Sequence, residues 1–110
     1  MPYDESLVER LRDLLADESR VAEKRMFGGL AFMVRGNLCV AASHTGGLLA
    51  RVDPDDSDAY LAPPHVSLME MRGRPMHGWL MVAPEALKTK RQVAAWLKRS
   101  VAFVKTLPPK

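Results

Sequence analysis

Cysteine is nearly absent from this chain: Cys39 is the one cysteine among 110 residues. One thiol forms no disulfide within the chain and builds no multi-cysteine metal site. The acidic N-terminus has no apolar signal segment, and the apolar runs are far shorter than the ~20 residues of a membrane span. Together these absences predict a reduced, cytoplasmic protein without a transmembrane segment.

Aromatic residues are also scarce, at 6% of the chain, and they do not interleave with the basic residues as a single-strand stacking platform requires. The remaining composition, 47% hydrophobic and 26% charged, is typical of a folded protein. Because a domain has roughly 100–200 residues, we expect a single domain over residues 1–110.

Acidic residues are missing after Glu85, which makes the charge distribution uneven. Residues 86–110 hold seven lysines and arginines, whereas residues 1–18 hold six acids and residues 53–58 hold four. The net charge of +3 is therefore a difference between two acidic segments and one basic segment. An excess this small identifies no partner.

The apolar spacing predicts a helix at each end of the chain. Leucines and a valine at residues 7–15 recur at helical intervals, and Ser6 with Glu9 has the spacing of a capping box. Near the C-terminus, Pro84 and Glu85 mark a helical start, and Thr89 with Gln92 offers a second capping box. An apolar stripe that includes Trp96 then continues to Val104.

Short apolar runs separated by Gly and Asn predict an antiparallel β-meander between these helices, with strands at residues 21–27, 30–34, 38–42 and 48–52. Asp53 and Pro54 predict the start of a short helix over residues 55–61. Two further strands are expected at residues 66–71 and 78–82, joined by a loop over residues 72–77. The fold class is α+β: N-terminal helix, antiparallel β-meander, short helix, two further strands and a C-terminal amphipathic helix.

Gly28 and Gly29 separate two apolar runs, where glycine permits a positive φ or a close backbone approach. A phosphate-binding loop would need a following helix start and a lysine, and neither is present. We therefore interpret this pair as a structural turn in the sheet.

Catalytic and metal-binding constellations are weak. His44, His65 and His77 fall in predicted loops and lack the paired spacing of a zinc site. Cys39 falls within an apolar strand, and Ser43 lacks a nucleophile elbow. The aspartates at residues 53–58 lack the glycine and glutamate of a calcium loop. We expect no catalytic residue, no metal and no cofactor, and hence no enzyme.

A basic set offers the strongest binding pattern. Nucleic-acid phosphates are contacted by such groups, although a basic face opposite an apolar stripe also keeps a surface helix soluble. The set comprises Arg72 and Arg74 in the predicted loop and, in the last helix, Lys88, Arg91, Lys98, Arg99 and Lys105.

Methionines cluster around the second strand pair at Met69, Met71, Met76 and Met81. Methionine fills irregular cores and also forms adaptable binding surfaces. Core packing and a dimer seam both remain open for these residues.

The chain resembles the N-terminal domain of the TfoX/Sxy family over nearly its whole length. The resemblance rests on residues 25–32 (Arg-Met-Phe-Gly-Gly-Leu-Ala-Phe), on Gly36, on residues 49–52, on the Gly73-to-Trp79 segment, and on the helix around Trp96. It implies a compact α+β fold, a bacterial source and a regulatory role.

Full-length members of that family activate natural competence genes together with a cyclic-AMP-responsive transcription factor. They also carry a helical C-terminal domain that these 110 residues do not include, so we interpret the chain as a stand-alone copy of the N-terminal domain. The resemblance supplies no catalytic residues. It implies a non-enzymatic interaction domain, a transcriptional or competence accessory with a protein partner or a second copy of itself. Direct nucleic-acid binding through the basic face is the alternative.

Overall fold

The computed structural model describes residues 4–26, 28–62 and 64–110, and within them the predicted α+β order is confirmed. A 3-10 helix, Ser57–Tyr60, lies between the fourth and fifth strands, and another, Pro84–Ala86, precedes the last helix. The main elements follow one another as α1 (Glu5–Leu14), β1 (Val21–Met26), β2 (Gly29–Val34), β3 (Asn37–Ala42), β4 (Leu48–Arg51), β5 (Val66–Met71), β6 (Arg74–Val82) and α2 (Lys90–Val104).

Helix α1 begins two residues earlier than the predicted capping box. Asp4 is the N-cap, and its carboxylate accepts hydrogen bonds from the backbone N–H groups of Ser6 and Leu7. The prediction that Ser6 caps this helix is wrong, because Asp4 in extended conformation is the N-cap and Ser6 lies within the first helical turn. The Ser6 hydroxyl instead donates to the Asp4 carboxylate at 2.7 Å.

Helix α2 begins at the predicted capping box. The Thr89 hydroxyl accepts from the Gln92 N–H at 3.1 Å, and the Gln92 side chain accepts from the Thr89 N–H at 3.0 Å. Pro84, predicted to start this helix, instead starts the separate 3-10 helix Pro84–Ala86. The single predicted helix is therefore two elements in the structure. The apolar stripe of α2 is buried as its spacing predicts, at Val93, Trp96, Leu97, Ser100 and Val104.

The six strands form one antiparallel sheet in the order β1-β2-β3-β4-β6-β5. The first four strands follow the chain as a meander, and β6 then pairs with β4, which leaves β5 at the edge. One row of side chains runs across the helix-covered face at Leu30, Ala42, Leu48, Val82 and Val66, all of them buried. Helix α2 packs on this face against β3 and β4, and α1 packs against α2, so that both helices share one core with this row.

The other face of the sheet has a second core made only of strand residues among those described. Ala31, Leu38, Ala41 and Leu49 form its buried centre. Larger side chains surround them, namely Met26, Met33, Met69, Trp79 and Met81. No described helix contributes to this core, so the methionine side chains shield its buried residues from solvent. The helices therefore cover one face of the sheet only, among the described residues.

Two predicted boundaries differ from the structure. Residues 74–77, expected in a loop, lie in β6, because the β5–β6 connection is a two-residue turn at Arg72 and Gly73, both with positive φ. The short helix is a 3-10 helix of four residues, and Asp53 does not cap it but accepts from the Asp55 N–H at 2.9 Å. Phe27, expected in the first strand, lies outside the described residues.

No helix among the described residues is long and apolar enough to cross a membrane.

Candidate functional site

The basic residues of the C-terminal segment are exposed, but they do not form one uninterrupted surface. Lys88 precedes α2, and Arg91 and Lys98 lie on its solvent side. Lys105, just after the helix, is bound to the Glu18 carboxylate at 2.6 Å. The line of cations predicted along the helix is therefore partly neutralised at its C-terminal end.

Arg99 is held by two aromatic rings. Its guanidinium lies 4.5 Å from the ring centre of Tyr60 and 4.6 Å from that of Trp96. The two rings meet edge to face, with their centres 5.9 Å apart. The guanidinium is therefore held by one ring from the 3-10 helix, Tyr60, and by one from α2, Trp96. Arg99 thus ties the 53–60 segment to α2 as well as carrying charge.

A cleft of about 410 Å³ opens between α2 and the 53–60 segment. Lys98 and Arg99 line one wall, and Asp53 and Asp56 belong to the other. The two carboxylates in the same cleft lower the positive electrostatic potential that would attract a phosphate backbone to Lys98 and Arg99. The cleft therefore weakens the case for nucleic acid at Lys98 and Arg99.

The other two predicted nucleic-acid contacts, Arg72 and Arg74, lie at the tip of the β5–β6 hairpin. The register of β4 with β6 starts at Trp79, so the hairpin from Met69 to Met76 projects beyond β4. Its tip exposes Arg72 and Arg74, together with Met71, which is 41% exposed. The structure thus separates the predicted basic set into a helix group and a hairpin group.

Strand β5 also presents a free edge. The N–H of Val66 donates to the Ala62 carbonyl at 3.0 Å, on the side away from β6. Because backbone groups of a strand alternate between its two sides, Leu68 and Glu70 also direct their N–H and C=O groups away from β6. No described strand pairs with that side.

The opposite edge, β1, is built differently. Its middle residues Glu23, Lys24 and Arg25 are all charged and exposed. Arg12 of α1 reaches the Glu23 carboxylate with two hydrogen bonds, at 2.7 and 2.8 Å. Consecutive charges of this kind oppose pairing with another strand, whereas β5 carries one charge, Glu70. Of the two edges, β5 is therefore the one open to pairing.

The structure places the glycine pair where backbone conformation and space require it. Gly28 has φ +74° in the β1–β2 turn. Gly29 opens β2, and a Cβ there would overlap the carbonyl oxygen of Ala42. A Cβ on Gly28 would lie 3.2 Å from Nδ1 of His44.

The residues weighed for catalysis are not brought together. Cys39 is fully buried against the helix-covered face, and burial raises the pKa of its thiol to about 12. Of the histidines, His77 lies 3.5 Å from the Asp58 carboxylate, while His44 and His65 sit in separate exposed turns. Among the described residues no three His, Cys, Asp or Glu side chains form a metal-binding group.

Sequence reasoning missed one cluster, because it considered the methionines of the second strand pair alone. Met26 from β1 joins Met69 and Met81 around a cavity of about 120 Å³, with His44 at its rim. The signal available in the sequence was the chain's seven methionines, but only the strand order shows which ones meet.

The profile of one protein family, described as the TfoX N-terminal domain, matches residues 13–104. No curated protein and no solved structure matches the chain.

Proposed function

This chain belongs to the TfoX N-terminal domain family, and on that premise we propose that it is a non-enzymatic, cytoplasmic interaction domain that binds a partner protein in transcriptional regulation. Competence genes are the regulatory target that family membership suggests. The surface we assign to the partner is the outer edge of β5 with the tip of the β5–β6 hairpin.

The free edge of β5 is the observation that carries the proposal. Its outward backbone groups at Leu68 and Glu70 offer unpaired donors and acceptors. A partner segment in extended conformation can add there as a further strand, which gains affinity from main-chain hydrogen bonds. The projecting hairpin lengthens this edge beyond the rest of the sheet.

The side chains around the edge indicate the chemistry of that partner segment. The hairpin tip carries a net positive charge, because it has two arginines, Arg72 and Arg74, and one acid, Glu70. Met71, exposed beside them, supplies an adaptable apolar contact. We therefore expect an extended segment with an acidic residue near the tip and an apolar residue against Met71.

The test compares two substitutions at one exposed position. Glu70→Pro removes an outward N–H from the edge, which a strand tolerates because β6 does not use it. Glu70→Ala removes the same carboxylate but keeps the N–H. Each protein is used to capture partners from a lysate. We expect the wild type and Glu70→Ala to capture the same proteins, and Glu70→Pro to lose them.

The control is that all three proteins unfold at similar urea concentrations. Identical capture by all three would contradict the β5 assignment. Sedimentation of the purified protein tests whether the partner is a second copy of this chain. If the wild type and Glu70→Ala are dimers and Glu70→Pro is a monomer, the β5 edge serves self-association and not a different partner protein.

The regulatory part has its own measurement. Deleting the gene from its bacterial source should lower transcripts of competence or DNA-uptake genes, and the wild-type gene should restore them where Glu70→Pro does not. Unchanged transcripts would refute a role in competence while leaving the interaction surface untouched.

Direct nucleic-acid binding is the second candidate, favoured by the exposure of Lys88 before α2 and of Arg91 and Lys98 on its solvent side. It predicts retention of DNA or RNA that falls steeply with salt and is lost when Arg91 and Lys98 are both changed to Glu. Absence of binding at low ionic strength would exclude it.

A further inference from the structure

We propose that the cavity lined by Met26, Met69, Met81 and His44 binds a soft monovalent metal ion, Cu(I), for which Ag(I) is a redox-inert probe. The site shares strand β5 with the proposed partner surface through Met69, but it lies on a face of the sheet rather than along the outer backbone edge, and it is separate from the cleft beside α2. We call it the methionine cavity.

The metal-binding side chains around the methionine cavity are three thioethers and one imidazole. Met26, Met69, Met81 and His44 come from four different segments: β1, β5, β6 and the turn after β3. Thioether and imidazole ligands select Cu(I) over hard cations, which need carboxylate or carbonyl oxygens. The imidazole at the rim adds a nitrogen donor, which suits copper, to the three thioethers of the methionine core.

The rest of the lining leaves few competing ligands. Ala41, Ala42 and Leu49 are apolar, and no carboxylate side chain belongs to the described lining of the cavity. The Ser43 hydroxyl lies 3.0 Å from the Thr45 hydroxyl and 3.3 Å from its backbone N–H. Calcium, magnesium and manganese therefore find no suitable donor set here.

The cavity has space for an ion and a route to it. Its volume is about 120 Å³, larger than one ion, and the unbranched methionine side chains can close on a central atom by rotamer changes. His44 is exposed and connects the cavity with solvent. Gly28, which has no Cβ, lies against the His44 ring and leaves room for it.

The one thiol of the chain does not compete for the ion. Cys39 is fully buried in the helix-covered core, on the other face of the sheet from the methionine cavity. A thiol ligates a soft metal as its thiolate, and burial disfavours that form of Cys39.

Metal binding should also stabilise the fold. Met26 and Met69 belong to the two edge strands, so an ion bound to both connects opposite edges of the sheet. Because the unfolded chain does not hold these ligands together, binding shifts the unfolding equilibrium toward the native state.

The experiment titrates the full chain with Ag(I) and follows both the melting temperature and the methionine methyl resonances by NMR. We expect saturable binding, a higher Tm, and methyl shifts confined to Met26, Met69 and Met81. Each change of these three to Leu, which nearly preserves volume, should weaken binding at least tenfold, since even the loss of a supporting group costs roughly 10–100-fold in metal affinity.

Matched controls come from the same chain. Met71→Leu, outside the cavity, and His65→Asn should leave Ag(I) affinity unchanged, whereas His44→Asn should lower it. Zn²⁺ should produce no shift. The proposal is overturned if Ag(I) fails to bind, if the triple Met26, Met69 and Met81 to Leu variant binds as tightly as the wild type, or if Cys39→Ala alone abolishes binding.

Discussion

Met26 and Met69 lie on the two strands at opposite edges of the six-stranded sheet, yet their side chains line the same cavity of about 120 Å³. Neighbouring strands are about 4.8 Å apart, so five steps across a flat sheet would separate these edges by about 24 Å. The sheet must therefore be strongly curled, with the methionine face on its concave side. This curvature buries Ala31 and Ala41 on a face that no described helix covers.

The first prediction concerns the start of α1. Asp4→Ala should lower the free energy of unfolding by about 1 kcal/mol, because the N–H groups of Ser6 and Leu7 lose their acceptor. Ser6→Ala should cost less, since it removes a donor to the cap and not the cap itself. Urea unfolding measures both, and a larger loss for Ser6→Ala would restore the sequence-based capping box.

The second prediction concerns acid pH. The hydrogen bond from Arg12 holds the pKa of Glu23 below its ordinary value of 4.5, and the Ser6 hydroxyl lowers that of Asp4. A carboxyl whose folded pKa is depressed stabilises the native state above its unfolded pKa, and this contribution is lost as pH falls through the folded pKa. Stability should thus fall below about pH 4.5, and less steeply in Glu23→Gln. Urea midpoints measured from pH 7 to pH 3 test this, and parallel curves for the two proteins would contradict it.

The third prediction concerns Gly29. A methyl group there overlaps the Ala42 carbonyl oxygen inside the β2–β3 pair, so Gly29→Ala should cost at least about 2 kcal/mol. Gly73→Ala is the control: its φ is +77°, but nothing lies within 4 Å of the added methyl. It should cost only the left-handed backbone strain, about 1 kcal/mol. Equal losses in urea unfolding would mean that the close approach is relieved by a backbone shift.

The fourth prediction concerns Cys39. Since the thiol is fully buried and its pKa is raised to about 12, the native protein should resist thiol reagents at pH 8. The same reagent should modify one thiol per chain once urea unfolds the protein. Rapid modification without denaturant would place Cys39 at the surface.

Sequence pattern predicted the order of elements because each element has its own local signal. The apolar stripe through Trp96 and the Thr89 capping box fixed α2, and glycine-bounded apolar runs fixed the meander. The start of β6 escaped prediction because Pro75 and Gly73 are typical of loops, while here a two-residue turn leaves Pro75 paired with Glu70. The capping box placed the start of α1 at Ser6, whereas the extended backbone of Asp4 makes Asp4 the N-cap.

The candidate sites were less predictable, because they depend on strands that are distant in the chain. Met26 and Met69 meet only through the strand order and the curl of the sheet, which no local pattern encodes. The free edge of β5 follows from the pairing of β6 with β4. The basic residues of α2 were found from sequence, but their neighbours Glu18, Asp53 and Asp56 come from other segments.

The most direct test of this account is a methyl NMR measurement on the protein labelled at its methionine methyl groups. The curled sheet predicts a nuclear Overhauser cross-peak that connects the methyl groups of Met26 and Met69, and further cross-peaks from both to Met81. Met71, at the exposed hairpin tip, should show none to Met26. A spectrum in which Met26 contacts only its own edge of the sheet would contradict the concave face, and with it the methionine cavity.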